Sequence, residues 1–110
     1  MSKKYNGWTN YETWNVKLWM DNDYAHYTYW QHRTECIAEE SEPEYDWETP
    51  RDAARVALMD ELKAFHEENR PEMDASTYTD LLGAALSEVN WYEIAESLLD
   101  AAEIDFAVEA

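Results

Sequence analysis

Glu93, Glu96, Asp100 and Glu103 fall at i, i+3, i+7 and i+10. On a helix this spacing sets four carboxylates along one outer face and spreads them over roughly 15 Å. A second group, Glu42, Glu44, Asp46 and Glu48, alternates with Pro43, Tyr45 and Trp47, so two aromatic rings sit inside a run of acids. Paired carboxylates can act as general acid and base. Among twenty-five acids, however, such pairs arise anywhere and carry no specificity. Regular spacing offers electrostatic imitation instead. Duplex DNA carries one phosphate charge per about 1.7 Å of axis, and rows of carboxylates on a rigid body approach that pattern. Asp60, Glu61, Glu67 and Glu68 supply a further group on a third helix. A solvated helix face is the ordinary explanation of any single row. Like charges at i, i+3 and i+4 nevertheless oppose the helices that carry them, and few bases relieve them here, so the pattern points to a use.

Other chemistries lack their residues. The only glycines are Gly7 and Gly83, so no glycine-rich phosphate loop exists. None of the three histidines sits in a nucleophile motif. His32 and Cys36, four apart, form half of a zinc site at most, and no second ligand pair follows at a usual spacing. The expectation is a protein with no catalytic residues, no metal and no cofactor.

The net charge is −17, and it is unevenly placed. Residues 1–34 hold Glu12, Asp21 and Asp23 against Lys3, Lys4, Lys17 and Arg33, and every other acid lies beyond them with Arg51, Arg55, Lys63 and Arg70. Such an imbalance costs stability through self-repulsion. It excludes direct nucleic-acid binding, which needs a basic face, and it attracts a basic partner. The 110 residues make one domain, with an apolar share of 45% and sixteen aromatics, six Trp, eight Tyr and two Phe, that argue against disorder. A single cysteine allows no internal disulfide and suggests a reducing compartment. No apolar run reaches the ~20 residues of a membrane span, and Met1-Ser2-Lys3-Lys4-Tyr5 lacks an apolar export segment. A cytoplasmic protein is expected.

Elements that position these residues follow from periodicity and caps. Thr9 and Glu12 read as a capping box after a turn at Gly7, opening a first helix over about 10–20. Tyr11, Trp14 and Leu18, widened by Trp19, form its apolar face and read as an aromatic core hub. Asp21 or Asn22 caps a second helix over about 23–41, with Tyr27, Trp30, Thr34, Ile37 and Ala38 inward. Pro43 breaks the chain into an acidic loop, and Tyr45 and Trp47 are expected to fold back on the core. Thr49-Pro50-Arg51-Asp52 starts a third helix that buries Ala54, Leu58, Leu62 and Phe65 and ends near Asn69-Arg70-Pro71. Asp74, Ser76 or Thr77 caps a fourth, whose face Tyr78, Leu81, Leu82, Ala85, Leu86 and Val89 is the cleanest helical pattern in the chain, with Gly83 a point of close helix approach. Asn90, with Glu93 three residues on, caps a fifth that buries Trp91, Ile94, Ala95, Leu98, Leu99 and Ala102. Residues 103–109 alternate apolar and acidic, which leaves a short strand, a docked extended tail and a frayed helix end all open. The fold class is all-α: a compact bundle of four to five helices with an extended C-terminal segment as one option.

The segments Asn6-Gly7-Trp8-Thr9-Asn10-Tyr11-Glu12-Thr13-Trp14-Asn15 and Ala84-Ala85-Leu86-Ser87-Glu88-Val89-Asn90-Trp91-Tyr92-Glu93-Ile94-Ala95-Glu96 resemble a family of small acidic proteins of phages, plasmids and other mobile elements, mostly of unknown function. In general character the chain is also similar to anti-CRISPR and anti-restriction proteins that imitate DNA. The resemblance implies an anti-defence inhibitor, most concretely of a type I CRISPR surveillance complex, that occupies a basic DNA channel. Its partner would be a basic nucleic-acid-binding protein or complex of a bacterial defence system. Candidate contact residues are Glu42, Glu44, Asp46, Glu48, Glu93, Glu96, Asp100 and Glu103, with Tyr45 and Trp47 as an aromatic anchor. The competing expectation is a mobile-element adaptor that binds a host protein through the Trp/Tyr-rich N-terminal half. An anti-restriction DNA mimic is a third.

Overall fold

A computed structural model of the chain describes residues 5–104 and 106. Its helices are α1 (Tyr11–Asn22), α2 (Tyr24–Glu40), α3 (Pro50–Glu68), α4 (Thr77–Ser87) and α5 (Trp91–Ala102), in an all-α arrangement. The core is a seam between α3 and α5. Ala54, Leu58 and Leu62 from one and Ile94, Ala95 and Leu99 from the other are fully buried, with Trp30, Ile37 and Met20 closing over them. The two helices run antiparallel. Arg51 at the start of α3 meets Asp100 late in α5, and His66 near the end of α3 lies against Trp91 at the start of α5. α2 is likewise antiparallel to α3, with His26 and Tyr29 on Phe65 and Arg33 on Glu61.

Local signals explain α3 and α5. Thr49 and Asp52 exchange both bonds of a capping box around Pro50, which satisfies N–H groups left open at a helix start. Asn90 accepts from the Glu93 N–H at the head of α5. At α2 the cap is Asp23, one residue past the expected pair, and it accepts from the N–H groups of Ala25 and His26.

Four expectations are corrected. The cap of α1 is Asn10, not Thr9, and it accepts from the Thr13 N–H. The Thr9 N–H is directed to the Glu93 carboxylate, 3.0 Å away, so Glu12 has no Thr9 box to complete. The aromatic face of α1 is not the core hub. Its buried residues are Thr13 and Met20, Trp19 is 63% exposed, and an exposed Tyr11 and a half-buried Trp14 join Tyr5 in a cluster of rings. Asn6 and Gly7 both take positive φ between the paired Tyr5 and Trp8, the backbone that an Asn-Gly hairpin turn requires, and this turn lays Trp8 against the core. Finally, α4 buries none of its residues. Leu86 and the following Val89 attach its C-terminal end to the core, whereas Tyr78 and Leu81 are 74% and 60% exposed. Gly83 meets the Arg70 side chain rather than another helix.

At the C-terminus, Ile104 and Phe106 lie outside the helices and pack against the core. Asp105 and residues 107–110 lie outside the described residues, and so does the choice between strand, tail and frayed end there. No helix among the described residues is long and apolar enough to cross a membrane.

Candidate functional site

The two sequence segments singled out above meet in space. Asn10 donates to the Glu88 carbonyl (2.7 Å), the Asn90 N–H donates to the Thr13 hydroxyl (2.8 Å), and the Glu93 carboxylate accepts from Thr9. The heads of α1 and α5 therefore cap one another. Their polar residues are occupied in holding the fold.

This arrangement removes most of the proposed acidic row on α5. Glu93 is only 8% exposed and faces the α1 cap rather than solvent. Glu96 accepts from both Arg51 (3.3 Å) and Arg55 (2.9 Å), and Asp100 accepts from Arg51 (2.5 Å). Burial works against the charge of Glu96, but hydrogen bonding to Arg55 and the charges of Arg55 and Arg51 outweigh it and hold the carboxyl below its usual range. Arg55 is desolvated too. Its bond to Glu96 and the neighbouring Asp52 still raise it, and its guanidinium lies 4.8 Å from the Tyr92 ring centroid. The first three members of the expected free row are thus a buried cap acceptor and two neutralised acids. Only Glu103 is free to face a partner: it is exposed and ends α5 in a left-handed conformation. On α3, Glu61 is likewise taken by a bidentate bond from Arg33, which raises the arginine. Asp52 is lowered by its bonds with the Thr49 backbone and hydroxyl, then by Arg55.

The loop between α2 and α3 is different. Glu42, Glu44 and Asp46 are exposed and Glu48 is half-buried, and none makes an ion pair among the described residues. The Glu48 carboxylate accepts from the Glu44 N–H (2.7 Å), and the Glu48 N–H donates to the Tyr45 carbonyl (3.1 Å). These bonds close residues 44–48 into a tight turn. Tyr45 and Trp47 do not fold back on the core. Trp47 is 75% exposed, and the two rings stack on each other, 5.1 Å between centroids and 3° from parallel. The two rings, at i and i+2, pack on each other at the surface of the turn.

The candidate contact residues left out further acids that join this loop. Glu35, Glu39 and Glu40, on the last turns of α2, are exposed and without ion pairs among the described residues. Glu39 and Glu40 point their charge at the negative end of the helix dipole with no base in that turn, an arrangement that costs stability. Their like-charge spacing ahead of Pro43 was the available signal. Glu35, Glu39 and Glu42 rim an open groove of about 620 Å³ whose apolar wall is Ala38, Pro43, Pro50, Ile104 and Phe106. From Glu35 to Glu48 the chain carries seven acids (35, 39, 40, 42, 44, 46, 48) and no base. A second acidic group, Glu67, Glu68, Glu72 and Asp74, surrounds Arg70 at the far end of α3. With 19 residues in α3, the two groups stand roughly 28 Å apart.

His32 and Cys36 are 3.4 Å apart on α2, and no third metal ligand joins them among the described residues. The chain belongs to a family of unknown function (DUF7249), which matches residues 1–109. Neither a curated protein nor a solved structure matches it.

Proposed function

We propose that this protein is an anti-defence inhibitor that imitates DNA and occupies the basic DNA channel of a bacterial defence complex, most concretely a type I CRISPR surveillance complex. One observation carries the reading. The arginines of α3 are spent on α5, while the acids at the end of α2 and in the following loop make no ion pair among the described residues. A chain selected only for stability would distribute its few bases against its densest acids. A second acidic group, set around Arg70 roughly 28 Å away, gives a charge separation on the scale of eight base pairs at about 3.4 Å per step. A restriction enzyme's DNA channel is the same reading with a different target. Steering between opposite charges makes association fast and salt-sensitive. The test is association of the protein with a purified surveillance complex, free and DNA-loaded, across a salt series. The expected result is binding to the free complex only, with a rate that falls steeply with salt. Equal binding to the DNA-loaded complex contradicts the reading.

A second reading rests on its own observation. Tyr11, Trp19 and Tyr24 are exposed on α1 and α2, beside Tyr27 and Tyr29. Such exposed aromatics suit an adaptor that binds a host protein through its N-terminal half. Trp19→Ala with Tyr24→Ala abolishes partner binding on this reading and leaves it intact on the first.

A further inference from the structure

We infer that the stacked Tyr45–Trp47 pair is a platform for a guanidinium group, so that the acidic loop selects an arginine-bearing segment of its partner over a lysine-bearing one. The inference rests on the reading above and specifies how the basic partner is recognised. Stacking hides one face of each ring behind the other, and with three quarters of its surface exposed, Trp47 presents its outer face to solvent. An indole face is the strongest aromatic partner for a cation, and the planar guanidinium stacks on it in a way that a lysine ammonium does not. Glu44, Asp46 and Glu48 alternate with the rings along the chain, and their charge attracts a cation to the loop. The Glu44–Glu48 and Glu48–Tyr45 bonds hold the turn in place beforehand, which lowers the ordering cost of binding. The adjoining groove has acids on its rim and Pro43, Pro50, Ile104 and Phe106 on its wall. That pairing complements the charge and the aliphatic stems of neighbouring basic side chains. A lipid surface or a second copy of this chain fits poorly, since both bring further negative or apolar surface to an uncompensated acidic rim.

The test is calorimetric titration of the full chain with capped penta-arginine and capped penta-lysine, at low and at physiological salt. Wild type binds the arginine peptide more tightly, and titration shifts the Trp47 indole N–H resonance. Trp47→Leu weakens arginine-peptide binding by about two- to fivefold, the factor that an exposed cation–π contact supplies, and erases the preference. Trp47→Phe keeps part of it. Because Trp47 is exposed, these variants remain folded, which far-UV circular dichroism verifies. Equal, salt-sensitive binding of both peptides overturns the platform and leaves the acidic-mimic reading standing. An arginine preference that survives in Trp47→Leu overturns the platform as well. Failure of both peptides to bind the folded wild type overturns the platform and the reading beneath it.

Discussion

Glu93→Ala removes one negative charge from a surplus of them, and a purely electrostatic view would predict relief of self-repulsion. The structure predicts the opposite. The Glu93 carboxylate is the acceptor for the Thr9 N–H at 3.0 Å and sits in the first turn of α5, nearly buried. A hydrogen bond to a charged acceptor contributes about 1.5–3 kcal/mol, and an acid at a helix N-terminus adds about 0.3–1 kcal/mol. The loss is therefore about 2–4 kcal/mol. For a chain of this length each kcal/mol moves the melting temperature by about 4 °C, so Glu93→Ala melts about 8–16 °C below wild type. Glu44→Ala is the control, since it makes the same change in net charge at an exposed position of the loop, and its midpoint stays within about 2 °C. Thermal unfolding followed by circular dichroism measures both. If Glu93→Ala melts together with Glu44→Ala, the reciprocal capping of α1 and α5 does not hold this fold.

Leu58 is fully buried in the α3–α5 seam, so Leu58→Ala costs about 2–5 kcal/mol; a urea midpoint close to wild type would place the core elsewhere. Tyr78→Ser with Leu81→Ser, on the exposed side of α4, changes stability by about 0.5 kcal/mol or less, and a large loss in urea unfolding would mean that α4 packs on the bundle after all. Burial pushes His66 below its ordinary 6.5, partly offset by its bond with the Leu62 carbonyl and reinforced by His26. The folded state then binds fewer protons, so stability is complete above 6.5 and declines as pH falls toward the depressed folded value. Glu96 and Asp52 are also lowered, and their contribution is complete above their ordinary 4.5 and 3.8 and lost as pH falls through the folded values. Melting temperatures across a pH series drop in two stages, and His66→Gln flattens the upper one; an unchanged upper slope in that variant rules out His66 as its source.

What could be read from residues alone follows how local the physics is. The Thr49–Asp52 box around Pro50 involves neighbours, and α3 was legible at its start and to within about three residues at its end. At α1, Thr9 and Asn10 are both capping types, and the choice between them is made by Glu93, which lies 84 positions away and takes the Thr9 N–H. The α5 acids show the same limit. An i, i+3, i+7 row suits an outer face and a face turned toward arginines equally well, and only the antiparallel pairing with α3 brings Arg51 and Arg55 to Glu96 and Asp100. For α4 the periodicity was real, but among the described residues it reaches the core at its C-terminal end, through Leu86, and leaves Tyr78 and Leu81 exposed. Periodicity reports a face that seeks burial, not what buries it. Tyr45 and Trp47 are the converse case, since aromatic type predicts burial and the rings satisfy one another at the surface.

The central claim is that the unneutralised acids from Glu35 to Glu48 stand in for phosphates. Displacement of target DNA from a purified type I surveillance complex tests it most directly, with wild type compared against Glu42→Lys/Glu44→Lys/Asp46→Lys at matched folding. The account predicts that wild type displaces the DNA and that the reversed loop, melting as wild type does, displaces little or none. Displacement by the folded loop variant as strong as that by wild type would contradict the account, as would no displacement by wild type at low salt.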